Sequence, residues 1–500
     1  MRSFLIFVAL LIPIVSQSQK APIKYGKVDS FEVSLKNYQD ADAVILCDYG
    51  TYNFDASSGP VFFYFTRHLR IKILSEEGLK HAQQTIPFYD LSKSIYYRYS
   101  NIYDLKAQTL NPRSNGKTQK TKVKFKSLLN IPADEDYNAS VTINFPDVQV
   151  GSIIEYVVKI PTIEMVNPPE WYFQYDIPVL RSELVLTAPE DVQYSAKIYN
   201  FDMLDDFDQK NLVSSVGYTR GIVSYQAYRM RFTMYKVLPL TLDTEDPMYN
   251  ASRMQLKLML VYASRKFLFP GMELLIRAME PDFKYKDKAE KNSTLSNPAF
   301  VLYKAPTLEK IPEELMKIPE FGLPLDLNIG INDTIRTLTK DCKTETDKLN
   351  VIYDFVSNGM NWNGRYRVFV DLGYSGFMTK ILSRFSVEKL NPTLNKPYKN
   401  QTGTSSEINF ILINLLRKVG LKADPVLVST LDNGLVDTSF FNLHQFNHVV
   451  ARVTADNRTY LLDAVLTKDG PIISTQIMNE FGMVVRKDEA FWISLSNNEE

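Results

Sequence analysis

The 500-residue sequence has few of the side chains on which metal and redox chemistry depend. Its two cysteines, Cys47 and Cys342, exclude a disulfide framework and a cysteine-rich zinc site. Four histidines leave little room for a metal centre. Lysine plus arginine and aspartate plus glutamate both number 57, so the chain lacks the cationic excess that nucleic-acid binding requires. We therefore expect no metal, no cofactor and no nucleic-acid partner.

A long apolar run occurs only at the start of the chain. Arg2 precedes the 12 residues from Phe4 to Val15, and Ser16 and Ser18 supply small residues before a cleavage position. The run is too short to span a bilayer comfortably. We expect residues 1–18 to be a secretory signal peptide and the mature chain to have no transmembrane segment. The low cysteine content of an exported chain favours a bacterial protein that is periplasmic or extracellular, with envelope association as an option.

Alternating apolar and polar residues dominate the chain up to about residue 265. Leu69, Ile71 and Ile73 alternate with polar neighbours, as do Val141, Ile143 and Phe145. Such a period of two indicates strands with one buried and one wet face. We predict an antiparallel β-sandwich over residues 19–265, with His68 on a polar face, His81 in a connection, and both solvated.

The spacing of the apolar residues changes from a period of two to a helical period after about residue 300. Thr344 and Asp347 suggest a capping box before a helix, and residues 408–419 form a helix with almost no polar side, which predicts a buried central helix. A strand from 425 to 429 and a hairpin of Val449–Val453 with Tyr460–Leu462 follow. We predict an α+β domain over residues 306–490, a connection over 266–305, and a tail or the start of a further β domain over 491–500.

Three places in the second domain indicate chemistry: Ser405 at the start of the buried helix, His448 and Asp463. If the hairpin turn is centred on Ala455 and Asp456, His448 lies directly opposite Asp463. The start of a buried helix offers free N–H groups to an oxyanion. Nucleophile, His and Asp in this order predict an acyl-transfer triad. In the alternative, Ser405 or a neighbour, Thr404 or Ser406, is only the helix N-cap and His448 is a structural histidine bonded to Asp463.

These residues stand in segments that resemble a known family. GTSSEINFILINLLRKVGLKADPVLVST, HQFNHVVARV and TYLLDA are similar to the transglutaminase-like (papain-like) superfamily of bacteria. DADAVILCDYGTYNF and FPDVQVGSIIEYVVKI resemble the β-sandwich domain of unknown function that precedes this module in exported bacterial proteins. The resemblance implies catalytic positions at Ser405, His448 and Asp463, and makes Trp362 a candidate oxyanion donor.

The sequence departs from the family at the nucleophile, where Ser405 replaces Cys. A thiol is readily held as a thiolate beside His, whereas a hydroxyl needs a general base in the transition state. We therefore predict a pseudoenzyme: a non-catalytic or weakened cleft that binds an extended peptide, protein or glycopeptide in the envelope. The alternatives are a serine-based amidase, peptidase or acyltransferase with a Ser-His-Asp triad, and an envelope scaffold that acts through the sandwich.

The spacing of two histidines is also compatible with a zinc site. His444 and His448 are four residues apart, which on a helix would place both on one face. The residues from Val449 onward alternate as in a strand, so we do not predict a zinc site.

Overall fold

The computed structural model describes most of the chain on both sides of the predicted connection. The described residues are 21–27, 38, 40–55, 62–89, 104–113, 115–124, 128–131, 138–162, 168, 170–190, 192–218, 221–246, 248–264, 301–304, 308–317, 319–326, 331–366, 368, 394–439, 445–465 and 480–495. The predicted signal peptide, most of the predicted connection and His444 lie outside them. The described chain is rich in β-structure and has two large hydrophobic cores, one in each half of the sequence.

The first half is built almost entirely of strands. They are β1 (Ala43–Asp55), β2 (Phe62–Ile73), β3 (Gln83–Tyr89), β4 (Asp104–Pro112), β5 (Thr118–Lys122), β6 (Leu129–Ile131), β7 (Asn138–Asn144), β8 (Ile153–Thr162), β9 (Trp171–Tyr172), β10 (Val179–Pro189), β11 (Val192–Tyr199), β12 (Asp206–Tyr218), β13 (Gly221–Val237), β14 (Gln255–Ser264) and β15 (Val301–Lys304). A 3₁₀ turn at Glu77–Ala82 and a short helix α1 (Tyr249–Ser252) interrupt them.

These strands form one large sheet covered by two smaller ones. The large sheet has eight strands in the order β12-β13-β10-β1-β2-β8-β4-β5. The smaller sheets are β3-β7-β6, and β11-β14-β15 with β9 on β14. Val141 of β7 and Leu258 of β14 pack in the same core as Ile71 of β2, which is the layering predicted for a sandwich. The large sheet departs from the predicted antiparallel arrangement at one pair, since β1 and β10 run parallel.

The predicted alternation holds for the buried face but not for the opposite one. Leu69, Ile71 and Ile73 are all buried, as predicted. Arg70 and His68, predicted to face water, are buried as well, and both bond to the carboxylate of Glu155. A polar side chain can be buried where a charged partner on the next strand satisfies it, so alternation alone does not show that a face is wet.

His81 also differs from the solvated residue that the sequence predicts. Its side chain is partly buried, and burial lowers its pKa. Its Nε2 atom is buried without a hydrogen-bond partner among the described residues.

The second half combines helices with a five-stranded sheet. The helices are α2 (Ile311–Lys317), α3 (Pro319–Asp326), α4 (Asn332–Thr339), α5 (Glu345–Gly359), α6 (Asn395–Asn400) and α7 (Ser405–Lys418), with 3₁₀ turns at Leu308–Lys310 and Leu431–Asn433. The strands are β16 (Asn361–Trp362), β17 (Thr402–Gly403), β18 (Lys422–Val428), β19 (His448–Ala455), β20 (Arg458–Leu462), β21 (Phe481–Val485) and β22 (Ala490–Ser494). The sheet order is β20-β19-β18-β21-β22, so the residues predicted as a tail contribute an edge strand to this sheet.

Helix α7 is the centre of the second core. Its apolar side chains are buried nearly all round, and it packs against α3, α5, β18 and β19. Thr404 and Glu407 form a capping box at its start. Gly420, at a φ of +90°, ends it in the left-handed conformation that glycine adopts without strain. None of the helices in the described ranges is long and apolar enough to cross a membrane.

Candidate functional site

Ser405 is the first residue of α7 and lies fully buried. The N-cap is Thr404, whose hydroxyl accepts a hydrogen bond from the Glu407 N–H, so Ser405 is not needed for that role. The Oγ atoms of Ser405 and its neighbour Ser406 are buried without a hydrogen-bond partner among the described residues. A buried hydroxyl without a partner is costly and therefore suggests a use other than stability.

His448 and Asp463 form a buried pair. His448 Nε2 lies 3.0 Å from Asp463 Oδ2, and neither side chain is exposed. The predicted contact is present, but the predicted register is wrong. The hairpin turns at Asp456–Asn457, and Ala451 pairs with Leu462, so His448 and Asp463 are diagonal neighbours rather than directly opposite. Diagonal neighbours on one face are still within reach of long side chains.

Asp463 is fixed by more than His448. Its Oδ1 atom accepts hydrogen bonds of 2.9 Å from the Asn409 side-chain amide and from the Val465 N–H. Asn409 lies one turn after Ser405 on α7, and its Oδ1 atom in turn accepts the Ala464 N–H. Burial raises the pKa of Asp463, but the His448 ring and these donors outweigh burial and leave the pKa below its ordinary value. The carboxylate is therefore held charged against the imidazole.

Trp362 lies beside the start of α7. Strand β16 pairs with β17 in parallel, which sets Trp362 next to Gly403. The Trp362 indole Nε1–H donates to the carbonyl oxygen of Arg365 at 2.9 Å, and the Ser405 backbone N–H donates to the same oxygen at 3.0 Å. The candidate oxyanion donor thus lies beside the predicted nucleophile, and both N–H groups are occupied by the chain itself.

Tyr366 lies between the Trp362 indole and the His448 imidazole. Its ring lies 4.9 Å from the Trp362 ring, between centroids, and 5.3 Å from the His448 ring, which it meets edge to face. The four side chains that the sequence singles out therefore lie in one buried neighbourhood of the second domain.

The arrangement supplies most parts of an acyl-transfer site. With the proton on Nε2, His448 donates to Asp463 and leaves a lone pair on Nδ1, which is what a general base needs. Nδ1 is buried without a hydrogen-bond partner among the described residues, so it is not bonded to the Ser405 hydroxyl. The predicted nucleophile and the predicted base are thus not hydrogen-bonded to each other.

Comparisons with known proteins agree with this architecture. Residues 63–214 match the model of a domain of unknown function with solved structure, DUF3857, which lies within the predicted sandwich. A crystal structure of a putative protease from Parabacteroides distasonis matches with a TM-score of 0.52 and 13% identity, covering 91% of this chain and 71% of that chain.

A putative cysteine protease from Cytophaga hutchinsonii matches over 64% of this chain and 91% of its own, with 9% identity and a TM-score of 0.20. Comparison with curated proteins gave no match. The likeness to the Parabacteroides structure shows that this chain shares the fold of that protein.

Sequence reasoning missed Asn409, Tyr366 and the Arg365 carbonyl. Asn409 had a signal, since it is one of the few polar residues in an otherwise apolar buried helix and lies four positions after Ser405. Tyr366 follows Trp362 by four positions, but nothing in that spacing indicates a contact with His448. A backbone carbonyl has no sequence signal at all.

Proposed function

We propose that this chain is an exported, transglutaminase-like protein whose Ser405–His448–Asp463 site binds an extended peptide or glycopeptide without efficient turnover. The family resemblance of the second domain and the fold shared with the Parabacteroides structure support the class of site. The replacement of Cys by Ser405 supports the loss of turnover, because a hydroxyl is a far weaker acid than a thiol.

One observation carries the non-catalytic reading. Both Ser405 Oγ and His448 Nδ1 are buried and lack a hydrogen-bond partner among the described residues. A serine nucleophile depends on a hydrogen bond to its base, whereas a thiolate–imidazolium pair is held by charge. In a site that evolved for the ion pair, replacing Cys by Ser removes the nucleophile but leaves the His448–Asp463 pair in place.

The test is a gain of function at the nucleophile position. Wild type and Ser405→Cys are assayed for amide hydrolysis and for amine incorporation into a mixed peptide library. Ser406→Cys is the matched control, since Ser406 is the adjacent helix residue and its hydroxyl is buried in the same way. We expect activity only in Ser405→Cys, together with peptide binding by the wild type. Activity in the wild type, or none in Ser405→Cys, contradicts the proposal.

A serine hydrolase or acyltransferase is the second candidate. It is favoured by the completeness of the supporting network, in which Asn409 and Val465 hold the carboxylate that faces His448. In this candidate Ser405 attacks the acyl carbon, His448 takes its proton and returns it to the leaving group, and Asp463 orients the ring. Turnover by the wild type that disappears in Ser405→Ala would favour it, and turnover that survives in Ser405→Ala would exclude it.

A further inference from the structure

Two N–H donors from different parts of the chain meet at one oxygen atom. The indole of Trp362 comes from β16 and the N–H of Ser405 from the first turn of α7, and both point at the carbonyl oxygen of Arg365 from 2.9 and 3.0 Å. Two convergent donors at these distances are the requirement for holding the carbonyl oxygen of an acyl group. Here the point of convergence is filled by the chain's own backbone.

The oxygen is delivered by a short turn, residues Asn363–Tyr366, which we call the strap. The Asn363 N–H bonds to the Gly403 carbonyl at 3.0 Å, and the Asn363 side chain accepts the Arg365 N–H at 3.1 Å. Gly364 is exposed and lies at a φ of +83°, a conformation that residues with a Cβ adopt only with strain. One of these hydrogen bonds lies within the turn and the other ties it to Gly403, and the turn contains a glycine at positive φ.

The strap also covers the imidazole. Tyr366, its last residue, sets its ring against His448, and Ser405, His448 and Asp463 have no exposed surface. A ligand that is to place a carbonyl between the two donors must therefore displace the Arg365 oxygen and move Tyr366.

We propose that the strap is an autoinhibitory contact: the Arg365 carbonyl occupies the position of a peptide ligand's carbonyl oxygen and has to leave before that ligand binds. This inference rests on the proposed function for the identity of the ligand, but not for the closed state itself. The closed and open strap are in equilibrium, and a ligand binds at the cost of opening.

The experiment weakens the strap and measures hydrogen exchange at both N–H groups. Gly364→Ala adds a Cβ that meets no atom within 4 Å, so the substitution acts through the positive φ and not through a clash. The first measurement is hydrogen exchange of the Ser405 amide. The second is exchange of the indole N–H groups by NMR, where the chain has three tryptophans and Trp171 and Trp492 serve as internal controls.

Both N–H groups should exchange faster by the same factor, about 5- to 30-fold, because they lose the same acceptor. Gly116→Ala is the matched control: Gly116 lies in a sandwich turn at a φ of +75°, also with no atom within 4 Å of an added Cβ, and should leave both groups unchanged. No change in Gly364→Ala, a change in one donor alone, or an equal change in Gly116→Ala would overturn the proposal. Neither measurement involves a ligand or turnover, so the closed strap is tested separately from the proposed function: if Ser405→Cys/Gly364→Ala protein, with its strap weakened, is also inactive, the proposed function fails while the exchange result stands.

Discussion

Asn409 is the residue that joins the helix of Ser405 to the carboxylate beside His448. Its amide donates to Asp463 Oδ1, and its own Oδ1 accepts the Ala464 N–H, both at 2.9 Å and fully buried. The asparagine thus satisfies a buried charge and a buried backbone donor at once. It acts on His448 only through Asp463, which makes it a positioning residue.

Replacing Asn409 should disturb both stability and the titration of the site. Asn409→Ala leaves the Ala464 N–H without its partner, which should lower the free energy of unfolding by about 1–3 kcal/mol. The pKa of Asp463, now held below its ordinary value, should rise. A depressed carboxyl pKa adds stability above the ordinary pKa near 3.9 and loses it as the pH falls through the folded value. Because the gap between the ordinary and the folded pKa narrows, the variant should lose less stability on acidification, and its loss should be complete at a higher pH than in the wild type.

Asn414→Ala is the matched control for this prediction. Asn414 is also buried on α7 and donates to the Phe410 carbonyl, but it does not contact the His448–Asp463 pair. It should destabilise the protein without changing the ring signals of His448 in NMR spectra. If Asn409→Ala leaves those signals as unchanged as Asn414→Ala does, Asn409 has a structural role only.

At the level of elements, the start of α7 sets both the helix and the position of Ser405. Thr404 accepts the Glu407 N–H while Glu407 accepts the Thr404 N–H at 2.8 Å. The Thr-x-x-Glu spacing is visible in the sequence and would have fixed the N-cap at Thr404 rather than leaving three neighbouring residues open. Ser405 is thereby placed at the first helical position, with its N–H outside the intrahelical bonds.

Removing the cap should weaken the second domain. Thr404→Ala should lower the free energy of unfolding by about 1 kcal/mol, measured by urea denaturation. Thr402→Ala is the control, because Thr402 is exposed and its hydroxyl makes only a 3.3 Å contact to the Asn400 carbonyl among the bonds described. Equal effects of the two substitutions would show that the capping box contributes nothing specific.

Sequence patterns predicted elements better than the way those elements pair. Helix α7, its glycine stop and the β19–β20 hairpin follow from local periodicity and turn residues, and they are present. The hairpin register was wrong because the turn lies at Asp456–Asn457, both at positive φ, one position later than predicted. The parallel β1–β10 pairing and the Arg70–Glu155 contact join residues far apart in sequence, and alternation carries no information about such partners.

At the scale of the whole molecule, the change in apolar spacing near residue 300 coincides with the division between two hydrophobic cores. The residues of the sandwich core all come from before the predicted connection, and those of the second core all come from after it. The halves nevertheless touch: Asp437 of the second half accepts hydrogen bonds from Lys197 and, at 2.7 Å, from Tyr199, both on β11 of the sandwich. Burial raises the pKa of Asp437, but these donors and Ser439 outweigh it and lower the pKa.

Asp437→Asn should therefore loosen the coupling between the halves. Hydrogen bonds to a charged group contribute about 1.5–3 kcal/mol, so calorimetry should show an earlier and less cooperative unfolding transition. Since the folded pKa is depressed, the wild type should lose this contribution only as the pH falls below the ordinary carboxyl value near 3.9, where wild type and variant should converge. Asp208→Asn removes a more exposed pair with Lys210 and should change little. Identical profiles for Asp437→Asn and Asp208→Asn would mean that the two halves unfold independently of this contact.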